Sequence, residues 1–365
     1  MNYIIFGGTF DPIHNGHIRM ASFASKKYSA KVIFVPNKSP RWKEPTTDIV
    51  HRLAMLKIAL KEVDFPWEID EFEINKKDEI NYTIDTIRYF KNKYPNDNLF
   101  LLVGADQVNK FADWKDAKEL SQLAKIIYSS RPNYIVDEKN VSLFKMESLG
   151  FEESGDVSSS DIRLLKSLDL NQDVIRYIED NKLYYVDKIA SHVSKERLSH
   201  SIQVARLAYK IAVVNKLENP NRYYVAAILH DVGKTPSFEG MNAIEFMEKY
   251  YPEYIDLPKF AYHQFIGEHI AKEEFKIEDE EILEAIKFHC TGNSNMKKIG
   301  MVVYASDKIE PTRQFDSTWL INSCLENWYQ GFIDTLIDNK KYLLGHAKDI
   351  TNKLTDACFK QYIGE

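Results

Sequence analysis

The spacing of apolar residues changes near residue 187, and this change divides the chain into two kinds of fold. Before it, short β-rich runs alternate with amphipathic helical patterns. The runs lie at residues 3–6, 31–35, 99–103 and 126–129, and the helical patterns lie at residues 49–60, 83–93 and 171–181. Such alternation predicts right-handed βαβ units around a parallel sheet, so this part is expected to be an α/β, Rossmann-like domain.

Beyond that point strand signals nearly vanish, and apolar residues recur at helical spacing, as in Val204, Ala208 and Ile211. The second part is therefore predicted to be all α-helix. A chain of 365 residues is also too long for one ordinary core. We expect two domains, residues 1–186 and 187–365, that meet where the pattern changes and not at a flexible linker.

Charge and cysteine content exclude several classes of protein. A formal net charge of −6 gives no general attraction to phosphate backbones, so a broad nucleic-acid-binding surface is not expected. The opening apolar run, residues 1–6, is too short for a signal peptide or a membrane span. Cys290, Cys324 and Cys358 are odd in number and widely spaced, which favours reduced thiols. We expect a cytoplasmic protein without nucleic-acid or membrane partners.

A string rich in glycine and histidine follows the first predicted strand and precedes the first helix, where open α/β sheets bind ligands. It reads GGTFDPIHNGH over residues 7–17. Glycines let the backbone approach a phosphate, and the N–H groups at a helix start favour an anion. The string predicts a nucleotide site; a plain strand-to-helix turn is the alternative. Its candidate residues are Gly7, Gly8, Thr9, Phe10, His14, Gly16 and His17.

A second string, VSSSDIR over residues 157–163, places hydroxyl groups at the start of a helix with an arginine after them. Together the two strings resemble the HxGH nucleotidyltransferase superfamily over about the first half of the chain. The resemblance implies that ATP binds to the residues of the first string together with Ser158, Ser159, Ser160, Ile162 and Arg163.

Three further segments resemble the nicotinate-nucleotide adenylyltransferases of that superfamily: residues 82–86, residues 102–107 with Trp114, and residues 129–132. An indole face suits a pyridine ring, although core packing is the alternative for Trp114, and backbone donors suit a carboxylate. The resemblance implies a nicotinate mononucleotide site. Its residues would be Thr83, Thr86, Asp106, Trp114 and Arg131.

The resemblance also implies in-line attack of the mononucleotide phosphate on the α-phosphorus of ATP, with release of pyrophosphate. Catalysis would consist of alignment and electrostatic stabilisation by His17, Lys43, Arg163 and Mg²⁺. Trp42 departs from the family, which usually has histidine at this place. Arg52 is a weaker phosphate-binding candidate and is alternatively a solvated helix residue.

Six potential metal ligands are spread over the predicted helices of the second domain. They are His200, His230, Asp231, His263, His289 and Asp307. Imidazoles and carboxylates that converge in a helical core are costly unless a cation compensates them. The whole set predicts a metal centre, whereas any one buried histidine is more often a satisfied core residue.

Residues 228–234, ILHDVGK, resemble the HD superfamily of phosphohydrolases, and residues 288–292 and 305–313 resemble its symmetrical diadenosine tetraphosphate hydrolases. The resemblance covers about residues 190–315. It implies that His200, the His230–Asp231 pair and Asp307 hold one metal, and that His263 and His289 add a second.

The resemblance further implies that Asp231 and Lys234 take part in catalysis. Lys234 would also bind the polyphosphate, together with Arg313. Mixed imidazole and carboxylate ligands suit Fe, Mn or Zn, and iron is the metal that the resemblance implies. Two alternatives keep the transferase: the helical domain hydrolyses another nucleotide, or it only binds a nucleotide and regulates the first domain. The segment 309–313, IEPTR, favours the dinucleotide hydrolase, and a purely regulatory domain would not need every ligand. The sequence leaves the oligomeric state open.

Overall fold

The computed structural model describes residues 1–38, 46–76, 82–130, 134–152, 157–235, 237–313, 315–345 and 352–364. The chain forms two compact units. The first consists of Met1–Arg163 and Asp169–Tyr184, and the second of Leu164–Leu168 and Tyr185–Glu365.

Six strands of the first unit form one sheet in the order β3-β2-β1-β4-β5-β6, and every neighbouring pair is parallel. The strands are β1 (Asn2–Gly8), β2 (Lys31–Pro36), β3 (Trp67–Ile69), β4 (Asn98–Gly104), β5 (Lys125–Ser130) and β6 (Glu147–Glu152). The helices are α1 (Asn15–Tyr28), α2 (Ile49–Leu60), α3 (Phe72–Asn75), α4 (Thr83–Lys93), α5 (Ala105–Val108), α6 (Ala117–Leu123), α7 (Glu138–Leu143), α8 (Ser159–Arg163) and α9 (Gln172–Asp180), with a 3-10 turn at Phe111–Asp113. The α/β fold with a parallel sheet is confirmed.

The order of the strands reverses at β1, which pairs with β2 on one side and with β4 on the other. Both central strands are continuous apolar runs because helices cover the two faces of a parallel sheet. The carboxyl ends of β1 and β4, Gly7–Gly8 and Gly104, therefore border a crevice at the point where doubly wound sheets bind ligands.

The sequence did not predict β3 and β6. Strand β3 has only three residues, too few to show an alternation. Strand β6 contains Gly150 at φ +68°, and its pairing with β5 shifts register between Tyr128 and Ser130. Both strands lie at the edges of the sheet, where less of each strand is buried and the apolar signal is weaker.

The described part of the second unit is helical. Its helices are α10 (Tyr185–Ala190), α11 (Lys195–Val214), α12 (Pro220–Leu229), α13 (Ala243–Tyr250), α14 (Tyr262–Glu273), α15 (Glu280–Phe288), α16 (Lys298–Ile309), α17 (Thr318–Glu326), α18 (Trp328–Gly345) and α19 (Lys353–Ile363), with 3-10 turns at Pro252–Tyr254 and Lys259–Ala261. Helix α16 is central, because residues 299–307 are all buried and α11, α12, α15 and α18 pack around it. This burial places Asp307 inside the helical core.

The three cysteines are free thiols. Cys324 and Cys358 are buried, and burial raises the pKa of each to about 12. Among the helices that the structure describes, none is long and apolar enough to cross a membrane.

Candidate active sites

The glycine- and histidine-rich string forms the turn between β1 and α1. His14 precedes the first residue of α1, and its backbone N–H donates to Nδ1 of His17 over 3.3 Å. The two imidazole rings lie 3.6 Å apart, and Phe10 covers the His17 ring at 5.3 Å. Because Nδ1 of His17 accepts, the ring proton is assigned to Nε2, which makes this atom a donor suited to a phosphate oxygen.

A cavity of about 320 Å³ opens beside this turn. Ten of the twelve residues proposed to bind ATP line it: Gly7, Thr9, Phe10, His14, Gly16, His17, Ser158, Ser159, Ser160 and Arg163. Gly8 lines a neighbouring cavity instead, and Ile162 is fully buried. The structure therefore brings the two sequence strings to one concave site.

Hydrogen bonds hold the serine string against the turn. Ser159 Oγ donates to the carbonyl oxygen of Pro12 over 2.8 Å, and Arg163 Nη1 donates to the carbonyl oxygen of Asp11 over 2.6 Å. Arg163 Nη2 also donates to Ser160 Oγ over 3.0 Å. The guanidinium group is thereby fixed at the wall of the cavity, where it can meet a phosphate.

Asp11 also lines this cavity, and the sequence reasoning did not single it out. It is 3% exposed, and its Oδ2 accepts from the backbone N–H and the hydroxyl of Thr46 over 2.8 and 2.9 Å. Its Oδ1 accepts from the Tyr184 hydroxyl over 2.9 Å. A signal was present, because a carboxylate inside a phosphate-binding turn repels the ligand unless other groups engage it.

The interpretation of Arg52 as a phosphate contact or a solvated helix residue is wrong. Arg52 is 1% exposed, and its guanidinium group donates to the carbonyl oxygens of Thr9, Asn37, Thr47 and Lys38 at 2.7 to 3.2 Å. Burial lowers its pKa. Arg52 therefore ties the loops after β1 and β2 together from within the protein.

A second cavity, of about 390 Å³, shares Phe6, Gly7, Thr9 and Gly104 with the first. Its other lining residues include three proposed to bind the mononucleotide, Thr83, Thr86 and Trp114. Asp106 lines the first cavity instead. Lys43 and Arg131 lie outside the described residues.

Packing and ligand contact are compatible for Trp114, whose ring lies 5.0 Å from Phe111 while the side chain borders the second cavity. Thr86 Oγ1 donates to Glu73 over 2.6 Å. Glu73 is 8% exposed, and burial raises its pKa. The second cavity thus joins an aromatic wall to polar groups, as small-molecule sites do.

In the second unit, five helical elements bring the six potential ligands together. Asp231 and His230 end α12, His289 ends α15, and His200, His263 and Asp307 lie on α11, α14 and α16. Their ligand atoms form three overlapping groups within which all atoms lie less than 4.8 Å apart. The groups are His200 with His230 and Asp231, His230 with His289 and Asp307, and Asp231 with His263 and His289.

Three of the histidines make the same type of hydrogen bond to the backbone. Nδ1 of His230, of His263 and of His289 lies 2.6, 2.6 and 2.8 Å from the carbonyl oxygen three residues earlier. These bonds place the proton on Nδ1 and turn Nε2 toward the cluster, the arrangement of metal-binding histidines. The Nε2 atom of His230 is buried and has no hydrogen-bond partner. A bound cation would satisfy this atom, so the residues fit a metal ion.

Asp231 lies between two sets of ligands. Its Oδ2 is 3.5 Å from His230 Nε2, whereas its Oδ1 is 3.2 Å from His263 Nε2 and 3.5 Å from His289 Nε2. On the His230 side, Asp307 Oδ1 lies 3.0 Å from His200 Nε2 and 3.5 Å from His230 Nε2. One carboxylate therefore faces both halves of the cluster.

Three ligands of the cluster, Asp231, Asp307 and His289, are held in the states that bind metals, whereas the pKa of His230 is raised because the effect of Asp231 and Asp307 outweighs that of burial. Burial opposes ionisation of Asp231 and Asp307, but the neighbouring imidazoles, and Lys308 beside Asp307, hold both pKa values well below the usual range. Burial lowers the pKa of His289 to about 3, so that this imidazole stays neutral. Ionised carboxylates and neutral imidazoles are the forms that coordinate a cation.

Several cations contact these carboxylates. Arg197 donates to Asp231 over 2.9 Å, Lys308 and Arg313 each donate to Asp307 over 2.8 Å, and Lys234 lies 3.5 Å from Asp231. Sequence reasoning missed Arg197 and Lys308. It also missed the role of Glu310, which is 1% exposed and lies 3.1 Å from Nδ1 of His200.

Gly233 permits the close packing of this centre. A Cβ atom there would lie 2.1 Å from the backbone oxygen of His263 and 2.4 Å from the backbone nitrogen of Gly267. Both atoms belong to the backbone of α14, so they could not give way to a side chain. The glycine after the His-Asp pair therefore lets the helix that carries His263 approach Asp231.

The fold and the two sites define a nucleotidyltransferase unit followed by an HD-type phosphohydrolase unit. Residues 5–165 match the family described as cytidylyltransferase-like, and residues 197–312 match the HD domain family.

The chain is 31% identical over 354 residues to a probable nicotinate-nucleotide adenylyltransferase/Ap4A hydrolase of Mycoplasma genitalium, covering 96% of each chain. The protein of the same description from Mycoplasma pneumoniae is 29% identical over 356 residues, covering 96% of this chain and 98% of the relative. The nicotinate-nucleotide adenylyltransferase of Bacillus subtilis is 37% identical over 188 residues, covering 49% of this chain and 96% of the relative. The chain belongs to the family of fused nicotinate-nucleotide adenylyltransferase/Ap4A hydrolases.

Proposed function

We propose that the chain is a bifunctional enzyme. Its first unit transfers AMP from ATP to nicotinate mononucleotide, which gives deamido-NAD and pyrophosphate, a step of NAD biosynthesis. Its second unit hydrolyses dinucleoside polyphosphates such as diadenosine tetraphosphate, and two molecules of ADP are the products. Similarity over nearly the whole length of fused relatives supports both activities in one chain.

The observation that carries the transferase proposal is the pair of cavities that meet at Gly7 and Thr9. ATP occupies the cavity that Gly16, His17 and Arg163 line, and the mononucleotide occupies the cavity that Trp114 lines. The reacting phosphates of the two substrates then meet where the cavities join. The start of α4, with Thr83 and Thr86, lies in the second cavity, and a helix start favours the nicotinate carboxylate.

Catalysis in this unit is alignment and electrostatic stabilisation. His17 donates from Nε2 to a phosphate oxygen, and Arg163 neutralises charge on the transferring and leaving phosphates. Mg²⁺ bound with ATP supplies further charge neutralisation. Ser158, Ser159 and Ser160 position the phosphates from the start of α8. The sequence assigns a phosphate contact to Lys43 and a mononucleotide contact to Arg131.

The observation that carries the hydrolase proposal is the division of Asp231 between two ligand sets. We infer that His200, His230, Asp231 and Asp307 hold one ion and that Asp231, His263 and His289 hold another. Iron is the proposed metal. Such a pair of ions would supply an activated water molecule and Lewis-acid stabilisation of the phosphoryl oxygens. Lys234 and Arg313 bind the polyphosphate beside it.

One set of assays tests both activities on the full-length protein. With Mg-ATP, nicotinate mononucleotide should be used far better than nicotinamide mononucleotide, and phosphopantetheine should not be used. With Fe²⁺ or Mn²⁺, diadenosine tetraphosphate should give only ADP on chromatography. Equal use of phosphopantetheine would overturn the transferase assignment. Formation of ATP and AMP would mean that water attacks a different phosphorus.

A further inference from the structure

A large cavity beside the metal ligands extends to a helix that the metal site does not use. The cavity has a volume of about 920 Å³, in the range of small-molecule sites. One side is formed by α11 and α16, which carry His200 and Lys308, and the other by Phe315 and α18. The HD family match ends at residue 312, so it assigns no role to this second side.

The side formed by α11, α16 and the segment after α16 carries three cations together with the carboxylate of the buried Glu310. Arg197, Lys308 and Arg313 line it, and each lies within 2.9 Å of a carboxylate oxygen of Asp231 or Asp307. The cations therefore stand directly beside the residues that would hold the metals. Phosphates that extend from the metal centre into the cavity would meet all three.

The side formed by Phe315 and α18 is aromatic and polar. Phe315 is 48% exposed and Tyr342 is 54% exposed, although both line a concave surface. Exposed rings in a concavity offer flat surfaces on which a base can stack. Asn339 donates from Nδ2 to the Tyr304 hydroxyl over 2.9 Å, which orients its Oδ1 oxygen as an acceptor. Asp338 adds a carboxylate of the kind that accepts from ribose hydroxyls.

We propose that this cavity binds one nucleoside diphosphate half of the dinucleotide substrate. The base stacks on Phe315 and Tyr342, and Oδ1 of Asn339 accepts from the exocyclic amino group of adenine. The diphosphate runs along Arg197, Lys308 and Arg313 to the metal centre. Helix α18 is thus the nucleoside-recognition element of the hydrolase. The inference rests on the proposed hydrolase activity, and it explains why the helical unit continues past the metal ligands.

Steady-state hydrolysis of diadenosine tetraphosphate by the metal-loaded, full-length protein tests the stacking surface. Phe315→Ala and Tyr342→Ala should each raise KM about tenfold, since loss of one base–aromatic stack has an effect of this order. The rise in KM should exceed any fall in kcat. Tyr342→Phe keeps the ring, so its KM should lie closer to that of the unchanged protein than the KM of Tyr342→Ala does. Trp319→Ala is the matched control, because Trp319 is also 54% exposed and is not among the lining residues.

An unchanged KM in both alanine variants would overturn the proposal, and so would an equal rise in Trp319→Ala. Photolabelling with 8-azido-ADP gives a readout that does not depend on hydrolysis. The peptides that contain Phe315 or Tyr342 should carry the label, and unlabelled ADP should protect them. Label at these peptides without cleavage of diadenosine tetraphosphate would refute the hydrolase function and support the nucleotide site. Normal cleavage without this label, and with unchanged KM values, would refute the nucleotide site alone.

Discussion

Tyr184 donates a hydrogen bond to Asp11 over 2.9 Å, although 173 positions separate the two residues. The last residue of the first unit thereby fixes the turn that lines the proposed ATP cavity. Burial and the charge of Asp11 raise the pKa of Tyr184, which keeps the phenol protonated as a donor. Because the carbonyl oxygen of Asp11 accepts from Arg163, a shift of Asp11 should also move the arginine that is proposed to act in catalysis.

Replacing Tyr184 with Phe should slow the adenylyl transfer. The variant leaves a buried carboxylate oxygen without this donor, a loss that costs about 1–3 kcal/mol for hydrogen bonds to charged groups. We expect a several-fold fall in kcat, with a smaller change in KM for ATP, and a lower melting temperature. Tyr177→Phe is the control, since Tyr177 hydrogen-bonds to His51 outside both cavities. Unchanged kinetics and melting in Tyr184→Phe would show that the bond does not position the turn.

His17→Ala should lower the turnover of deamido-NAD formation about 10²- to 10³-fold, as loss of one donor to developing charge does in comparable sites. The fold should remain intact, because the ring of His17 borders the cavity and its removal costs only one hydrogen bond from His14 and ring contacts such as the one with Phe10. Circular dichroism and steady-state kinetics check both statements. His51→Ala, on a helix of the same unit, should retain its activity. A His17→Ala enzyme with normal turnover would remove His17 from the mechanism.

Acid should weaken the first unit through Glu147. A hydrogen bond from Lys125, which has the largest effect, and a second one from Tyr28 hold the pKa of Glu147 at about 2, below its ordinary value of 4.5. A carboxyl with a depressed folded-state pKa stabilises the fold fully above about pH 4.5, and this contribution is lost as pH falls toward 2. The side chain is 37% exposed, so the effect should be modest and screened by salt.

Thermal unfolding of the protein and of Glu147→Gln, compared across this pH window, measures that contribution. Glu147→Gln lacks the negative charge at every pH, and protonation at low pH removes the same charge from the unchanged protein. The difference between the two melting temperatures should therefore shrink as the pH falls. Glu138→Gln, an exposed glutamate of α7, should show no such convergence. A constant difference between the two proteins would contradict the pairing.

Metal content should follow the division of ligands around Asp231. Elemental analysis of the purified protein should find two transition-metal ions per chain. His263→Ala should retain one ion, because it removes a ligand of one set only, whereas Asp231→Ala should retain none. His269→Ala is the matched control, since His269 lies on the same helix and pairs with Glu239 at 3.7 Å, away from the cluster. Two ions in His263→Ala would contradict the dinuclear arrangement.

Local patterns predicted much of this molecule, because they depend on residues close in sequence. The central strands, the helices α2 and α4 and the six potential ligands were all visible as runs, periods or residue types. Burial of a side chain by residues distant in sequence could not be predicted in this way. Arg52 has the sequence context of a surface helix residue, yet it is buried among four carbonyl oxygens, three of which belong to the loops after β1 and β2.

Partners that are far apart in sequence were also invisible. The hydrogen bond between Asp11 and Tyr184 and the contact between His200 and Glu310 depend on the finished fold. The same holds for the cavity at α18, because Phe315 and Tyr342 belong to no motif and come together only through the packing of helices. Residues that take part in a reaction are therefore easier to identify from sequence than the residues that position them.

The central claim is that one chain carries two separate active sites, and a single crossed assay tests it most directly. The full-length protein, His17→Ala and Asp231→Ala are each incubated with Mg-ATP and nicotinate mononucleotide, and separately with diadenosine tetraphosphate and Fe²⁺ or Mn²⁺, and the products are separated by chromatography. The unchanged protein should form deamido-NAD in the first reaction and ADP in the second. His17→Ala should lose only the first activity, and Asp231→Ala only the second. Normal hydrolysis by Asp231→Ala, or loss of both activities in either variant while its fold is intact, would contradict the account.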